Sequence, residues 1–89
     1  SMRVWIAQPL RSYTAEKRFV EAAGGTLGEV LDDLERKFPG IRFRVIDEQD
    51  QIREHMNIFI GTRMAHSLAE PVVAGDEVMI VQALSGGRT

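Results

Sequence analysis

The sequence contains no cysteine, which excludes disulfide staples, thiolate metal sites and cysteine nucleophiles. It also lacks a basic excess, and its net charge of −2 argues against bulk nucleic-acid binding, which needs a positive footprint to release counterions. No apolar run approaches the length of a membrane span, and the N-terminus has no apolar segment of signal-peptide type. His55 and His66 have no second histidine or cysteine at ligand spacing, so no metal site is expected and both read as surface or loop residues. No P-loop, nucleophile elbow or dinucleotide fingerprint is present, and neither an internal repeat nor a linker divides the chain. Ser1 before Met2 looks like a cloning remnant and is set aside.

What is present suffices for one core. Apolar residues make up 44% of the 89 positions, too many for a disordered segment, and the length is that of a single small domain. The expectation is one soluble, cytoplasmic domain.

The C-terminal stretch organises the rest. Gly75-Asp76 is a tight polar turn, and Glu77-Val78-Met79-Ile80-Val81 after it alternates. With Val78 and Ile80 inward, Met79 and Val81 point to the opposite face. The strand then loses its apolar character through Leu84-Ser85 into Gly86-Gly87. Two successive residues without side chains can enter a slot too narrow for any other pair. A frayed terminus is the plainer reading of the same glycines.

From the other end, Arg3–Ala7 predicts a strand with Val4 and Ile6 on one face and Trp5 on the other. Pro9 ends it, because proline cannot donate to a ladder. Leu10–Thr14 reads as a loop and Lys17–Glu21 as a second strand, so the pair suggests an antiparallel hairpin. Thr26-Leu27-Gly28-Glu29 has the form of a capping box. Leu27, Val30, Leu31, Leu34 and Phe38 follow at helical spacing, with Asp32, Asp33, Glu35 and Arg36 on the wet face. Gly28 lowers helix propensity by about 1 kcal/mol against alanine, a cost that close packing would explain. Pro39-Gly40 ends the helix.

Ile41 to Ile46 alternates in part and fits either a strand or a packed loop. Asp47–Gln51 is a solvent loop. Met56–Ile60 alternates strongly, with Met56, Ile58 and Ile60 on one side and Phe59 on the other. A very short strand follows at Met64-Ala65, and Leu68, Pro71 and Val72 lie in an irregular connection. One apolar helix stripe against one inner sheet face gives an α+β, β-grasp domain. Its sheet is mixed and four- to five-stranded, with the first and last strands parallel at the centre.

At this point the chain resembles the ubiquitin-like sulfur carriers of the MoaD/ThiS family, and within it the CysO-type thiocarboxylate carriers. The residues that carry the resemblance are Thr26-Leu27-Gly28-Glu29-Val30, the Met56-Asn57-Ile58-Phe59-Ile60 alternation, and Gly75-Asp76-Glu77-Val78 followed at family spacing by Gly86-Gly87. The resemblance implies a non-enzyme that binds no cofactor. A ThiF/MoeB-like enzyme would adenylate the Gly87 carboxylate with ATP, recognising Gly86, Ser85 and Leu84 on the way. A sulfur donor would convert the acyl-adenylate to a thiocarboxylate, and a sulfur-accepting synthase would take the sulfur. Residues 2–87 would form the carrier domain. Arg88-Thr89 departs from the family pattern, so a JAMM-type zinc peptidase would have to cut between Gly87 and Arg88 first.

Phe59, Met79 and Val81, with Trp5, are expected to form an apolar partner-binding patch on the outer sheet face. The activating enzyme would dock there and take the tail as an extended strand. Cover by loops or by a second copy is the alternative for the patch. For the whole chain, the alternatives are a protein modifier or a non-covalent β-grasp binding module. The carboxylates Asp32, Asp33, Asp47, Glu48 and Asp50 are read as solvated. Arg42, Arg44, Arg53 and Arg63 are read as paired within the molecule or at its surface.

Overall fold

Alternation of large β-branched residues makes the strands, and a single amphipathic stripe makes the main helix. The structure, a computed structural model, describes residues 1–83. In chain order its elements are β1 (Met2–Ile6), a 3₁₀ helix (Gln8–Thr14), β2 (Phe19–Ala22), α1 (Leu27–Lys37), α2 (Ile41–Val45), β3 (Met56–Ile60), β4 (Arg63–Met64) and β5 (Glu77–Gln82). Among the described residues the strands form one sheet in the order β2-β1-β5-β3-β4. β1 and β2 are antiparallel, with Val4 opposite Val20. β1 and β5 run parallel, with Val4 beside Val78 and Ile6 beside Ile80. β5 and β3 are antiparallel, with Ile58 opposite Ile80. This is the β-grasp, with β1 and β5 at its centre.

One face of every long strand meets α1. Val4, Ile6, Val78, Ile80 and Ile58 are fully buried, as are Leu27, Val30, Leu31 and Leu34 on the helix. Full burial of each such side chain contributes on the order of 1.5–3 kcal/mol before chain entropy is counted. Thr26 caps α1, since the Glu29 N–H donates to its Oγ1 at 3.2 Å. The return bond of the box differs from the sequence expectation. Glu29 Oε1 accepts from the Gly25 N–H at 2.7 Å, one residue before the cap.

The helix start is also held from outside. The N–H groups of Leu27 and Gly28 donate to the carbonyls of Glu70 and Leu68, both at 2.9 Å, and Val72 N–H donates to Gly25 O at 3.1 Å. The irregular connection through Leu68 and Val72 therefore serves as a backbone partner for α1. Gly28 fits the packing expectation: a Cβ there would lie 3.3 Å from the Leu68 Cβ and carbonyl oxygen. Gly24 is tighter still, with a Cβ meeting Val30 N at 2.7 Å.

Three element assignments change. Ile41–Val45 is neither strand nor loop but one helical turn, α2, entered through Gly40 at φ 100°. Leu10–Thr14 is wound into the 3₁₀ helix rather than a loop. The short strand is Arg63–Met64 rather than Met64-Ala65, set by Phe59 pairing with Met64.

Candidate functional site

The outer face of the sheet follows from the same alternation that fills the core. With Val4, Val78 and Ile58 inward, Trp5, Met79 and Phe59 must face out. Register then aligns them, because Trp5 sits beside Met79 and Met79 opposite Phe59. The row continues to both edges, with Trp5 opposite Phe19 and Phe59 opposite Met64. Phe19, Trp5, Met79, Phe59 and Met64 thus form one apolar line across all five strands of the sheet. Phe19 is 41% exposed and Met64 40%, while the three central members are half-buried against one another. Val81 lies in the next row, opposite Asn57, and is also half-buried.

Phe19 and Met64 are additions to the residues singled out from sequence. The inward Val20 was the available signal for Phe19; Met64 is placed only by the register of β4. Arginines border the row. Arg3 stacks on the Phe19 ring at 4.2 Å from its centroid and pairs with Glu77 at 3.4 Å. Arg11 lies 5.4 Å from the Trp5 ring centroid and donates from Nε to Ile6 O at 2.9 Å. Apolar residues of this size, framed by cations on a sheet face, suit docking by a protein surface.

β5 carries the chain toward its C-terminus between two flanking strands. Ala7 N–H donates to Ile80 O at 3.0 Å, and Ala83 N–H donates to His55 O at 2.8 Å. The backbone is thus sheet-held up to Ala83. Leu84, Ser85, Gly86, Gly87 and Arg88, which carry the tail-recognition, adenylation and processing expectations, lie outside the described residues.

The charged groups elsewhere have structural partners. Asp33 is held below the usual carboxylate range first by the Ala23 N–H and then by Lys37 and Arg36. Glu35 is lowered by the N–H groups of Gly40 and Arg42, at 2.8 Å and 2.9 Å. Glu70 is lowered by the His66 N–H and by Arg63. Asp47 accepts from the N–H groups of Gln49 and Gln51. Asp33, Glu35 and Asp47 are thus backbone acceptors rather than merely solvated groups. The lowering at Asp33, Glu35 and Glu70 comes first from backbone N–H groups, the signature of local folding.

The four arginines divide. Arg42 pairs with Asp32 at 3.2 Å and Asp50 at 3.3 Å, and Arg63 with Glu70 at 3.3 Å. Among the described residues Arg44 and Arg53 have no carboxylate partner, contrary to the expectation that all four would be paired. Among those same residues no group of three His, Asp or Glu side chains is disposed to hold a metal ion, and no helix is long and apolar enough to cross a membrane.

Comparison with known proteins places this geometry. The sequence model of the ThiS family matches residues 4–87. The sulfur carrier protein CysO of Mycobacterium tuberculosis is 36% identical over 93 aligned positions, which cover 97% of this chain and all of that protein. Its crystal structure superposes with a TM-score of 0.90 over 94% of this chain and all of that one, at 31% identity. A chain of the Amycolatopsis orientalis BexX/CysO complex also gives 0.90, at 30% identity, covering 98% of this chain and 100% of that one. The small archaeal modifier protein 1 of Haloferax volcanii is 32% identical over 62 positions, 70% of each chain. A family match running from β1 through the glycine pair, on a fold shared with near full-length relatives, establishes that the chain belongs to the ThiS family.

Proposed function

We propose that this protein is a sulfur carrier whose working atom is the carboxyl carbon of Gly87, and that residues 2–87 form the functional unit once Arg88-Thr89 is removed. The observation that carries the reading is the near end-to-end match to CysO, a protein named as a sulfur carrier. It is joined to a family match that extends through Gly87.

The chemistry follows from the poor electrophilicity of a carboxylate. Attack of the Gly87 carboxylate on the α-phosphate of ATP releases pyrophosphate and leaves an acyl-adenylate. Attack of a sulfide-level donor on the acyl carbon then expels AMP and leaves a thiocarboxylate, with sulfur in place of one oxygen. A sulfur-accepting synthase takes that sulfur. Both activating steps belong to a ThiF/MoeB-like adenylating enzyme, and the removal of Arg88-Thr89 to a JAMM-type zinc peptidase. The carrier supplies positioning rather than an acid, base or bound cofactor. From Ala83, the four residues Leu84–Gly87 reach at most about 14 Å. An adenylating enzyme must therefore bring its active site close to the sheet, which makes the outer apolar row its docking surface in this proposal.

Intact mass after incubation with peptidase, adenylating enzyme, ATP and sulfide tests the reading. The expected product ends at Gly87 and is heavier by the exchange of one oxygen for sulfur. A chain that is neither trimmed nor exchanged, yet binds a partner, is a non-covalent module instead. The similarity to a small archaeal modifier protein favours a second use of the same activated tail, transfer to a lysine. A mass adduct on lysine-containing acceptors would identify it.

A further inference from the structure

Beside the root of the tail, on the side of the sheet opposite the apolar row, lies a groove whose charged lining has one sign. Its outer part is formed by Phe43, Arg44, Arg53 and His55. Its inner part shares Arg44 and His55 and reaches Gln82, the last residue of β5. No carboxylate lines either part, in a chain whose acidic residues outnumber its basic ones.

The groove is built rather than incidental. Arg53 N–H donates to Val45 O at 2.9 Å, and its Nε donates to Phe43 O at 2.7 Å. Its guanidinium stacks 4.5 Å from the Phe43 ring centroid. Those contacts fix the guanidinium plane and leave its terminal amino groups for an acceptor, the disposition that makes arginine selective for carboxylates. Phe43 is 58% exposed, so the cation rests on an apolar surface that a partner can also cover. Gln82 pairs with Met56 and follows the alternation of Val78 and Ile80, which puts the groove on the helix side. The end of β5 at Gln82 therefore lies between an apolar face and a basic groove.

We propose that this groove receives an acidic segment of the adenylating enzyme that takes the tail, with a carboxylate on the Arg44 and Arg53 side chains. The proposal rests on the carrier reading for the identity of that protein, but not for the chemistry of the groove. Such a contact orients the carrier and raises its encounter rate more than it adds affinity.

The test has two arms. In the first, the full chain is titrated with a capped pentaglutamate peptide and, separately, with a pentaglutamine peptide, while NMR signals of Arg44, Arg53 and His55 are followed. The expected result is a saturable shift confined to those residues for the acidic peptide alone, weakening at least tenfold between low and high salt. Arg44→Glu should abolish it, and Arg18→Glu should leave it intact. Equal shifts with both peptides, or shifts centred elsewhere, overturn the proposal. So does a change in the same signals on amidating the chain's own C-terminus, because the groove would then hold that terminus.

In the second arm, Arg44→Glu should raise KM for the carrier in adenylation roughly tenfold at unchanged kcat, and Arg53→Lys less. An unchanged KM overturns the docking role. If even the parent chain trimmed to end at Gly87 is never adenylated, the carrier reading fails and the peptide titration still decides the groove.

Discussion

Two neighbouring residues hold backbone that their side chains do not favour. Ala15 and Glu16 both have left-handed φ, 55° and 65°, at the exit of the 3₁₀ helix. The strain is imposed from both sides: Glu16 N–H donates to Arg11 O at 2.7 Å, and the buried Thr14 hydroxyl donates to Lys17 O at 2.9 Å. A left-handed residue with a Cβ costs on the order of 1–2 kcal/mol, part of which glycine returns as greater freedom in the unfolded chain. Glu16→Gly should therefore stabilise the domain by about 0.5–1 kcal/mol in urea unfolding. Gly24 gives the opposite case. Its added Cβ would lie 2.7 Å from Val30 N and 2.8 Å from Glu29 Cβ, atoms of a helix that cannot retreat without losing core contacts. Gly24→Ala is expected to cost about 1–3 kcal/mol. Equal midpoints for parent and variant would show that the loop gives way instead.

At the scale of elements, α1 is tied to its neighbours by carboxylates that accept from backbone. Glu35 bridges to α2 through the N–H groups of Gly40 and Arg42, which hold its pKa below the ordinary 4.5. A carboxylate lowered on folding contributes its full stabilisation above its unfolded value. That contribution declines as pH falls through the lowered folded value. Glu35→Gln should thus destabilise by about 1 kcal/mol near neutrality, given the solvent around the group. The difference should vanish below the folded pKa, under the ordinary carboxylate range. A pH-independent difference in urea midpoints would count against the bridge.

The same contact explains why α2 was not legible in the sequence. Ile41 and Val45 are four apart and share a helix face, yet with Phe43 they also alternate as a strand would. What decides between the two periods is the Glu35 carboxylate capping the turn from another element, and Phe43 then turns outward. β1, β3 and β5 were legible because each has a one-sided burial pattern with period two, and α1 because cap and stripe agree. The outer patch was legible in its central members alone, since Met64 is placed by cross-strand register and not by any local pattern. Arg44 and Arg53 could not be told from Arg42 and Arg63 by charge counting; only the fold shows which arginines have a carboxylate in reach.

At the scale of the whole molecule, the apolar row and the tail act on the same partner in the proposed function, and the sheet decides how strongly each residue counts. Met79 lies on the central strand β5, between Trp5 and Phe59, whereas Val81 is one row nearer the tail, opposite the polar Asn57. A charge at Met79 would be desolvated at the middle of a docked surface, the position where interface truncations cost most. A charge at Val81 would sit nearer the rim and retain part of its water. Met79→Glu should therefore raise the KM for adenylation well over tenfold, a loss above about 1.4 kcal/mol. Val81→Glu should also weaken adenylation, but by a smaller factor. Neither change touches the inner face, so each should cost no more than about 1 kcal/mol of folding stability, which urea unfolding of the same samples checks. Since Gly87 is left unaltered in both variants, adenylation at saturating carrier should approach the parent rate. A fall in kcat with KM unchanged would instead show that the row shapes the activated tail rather than docking the enzyme.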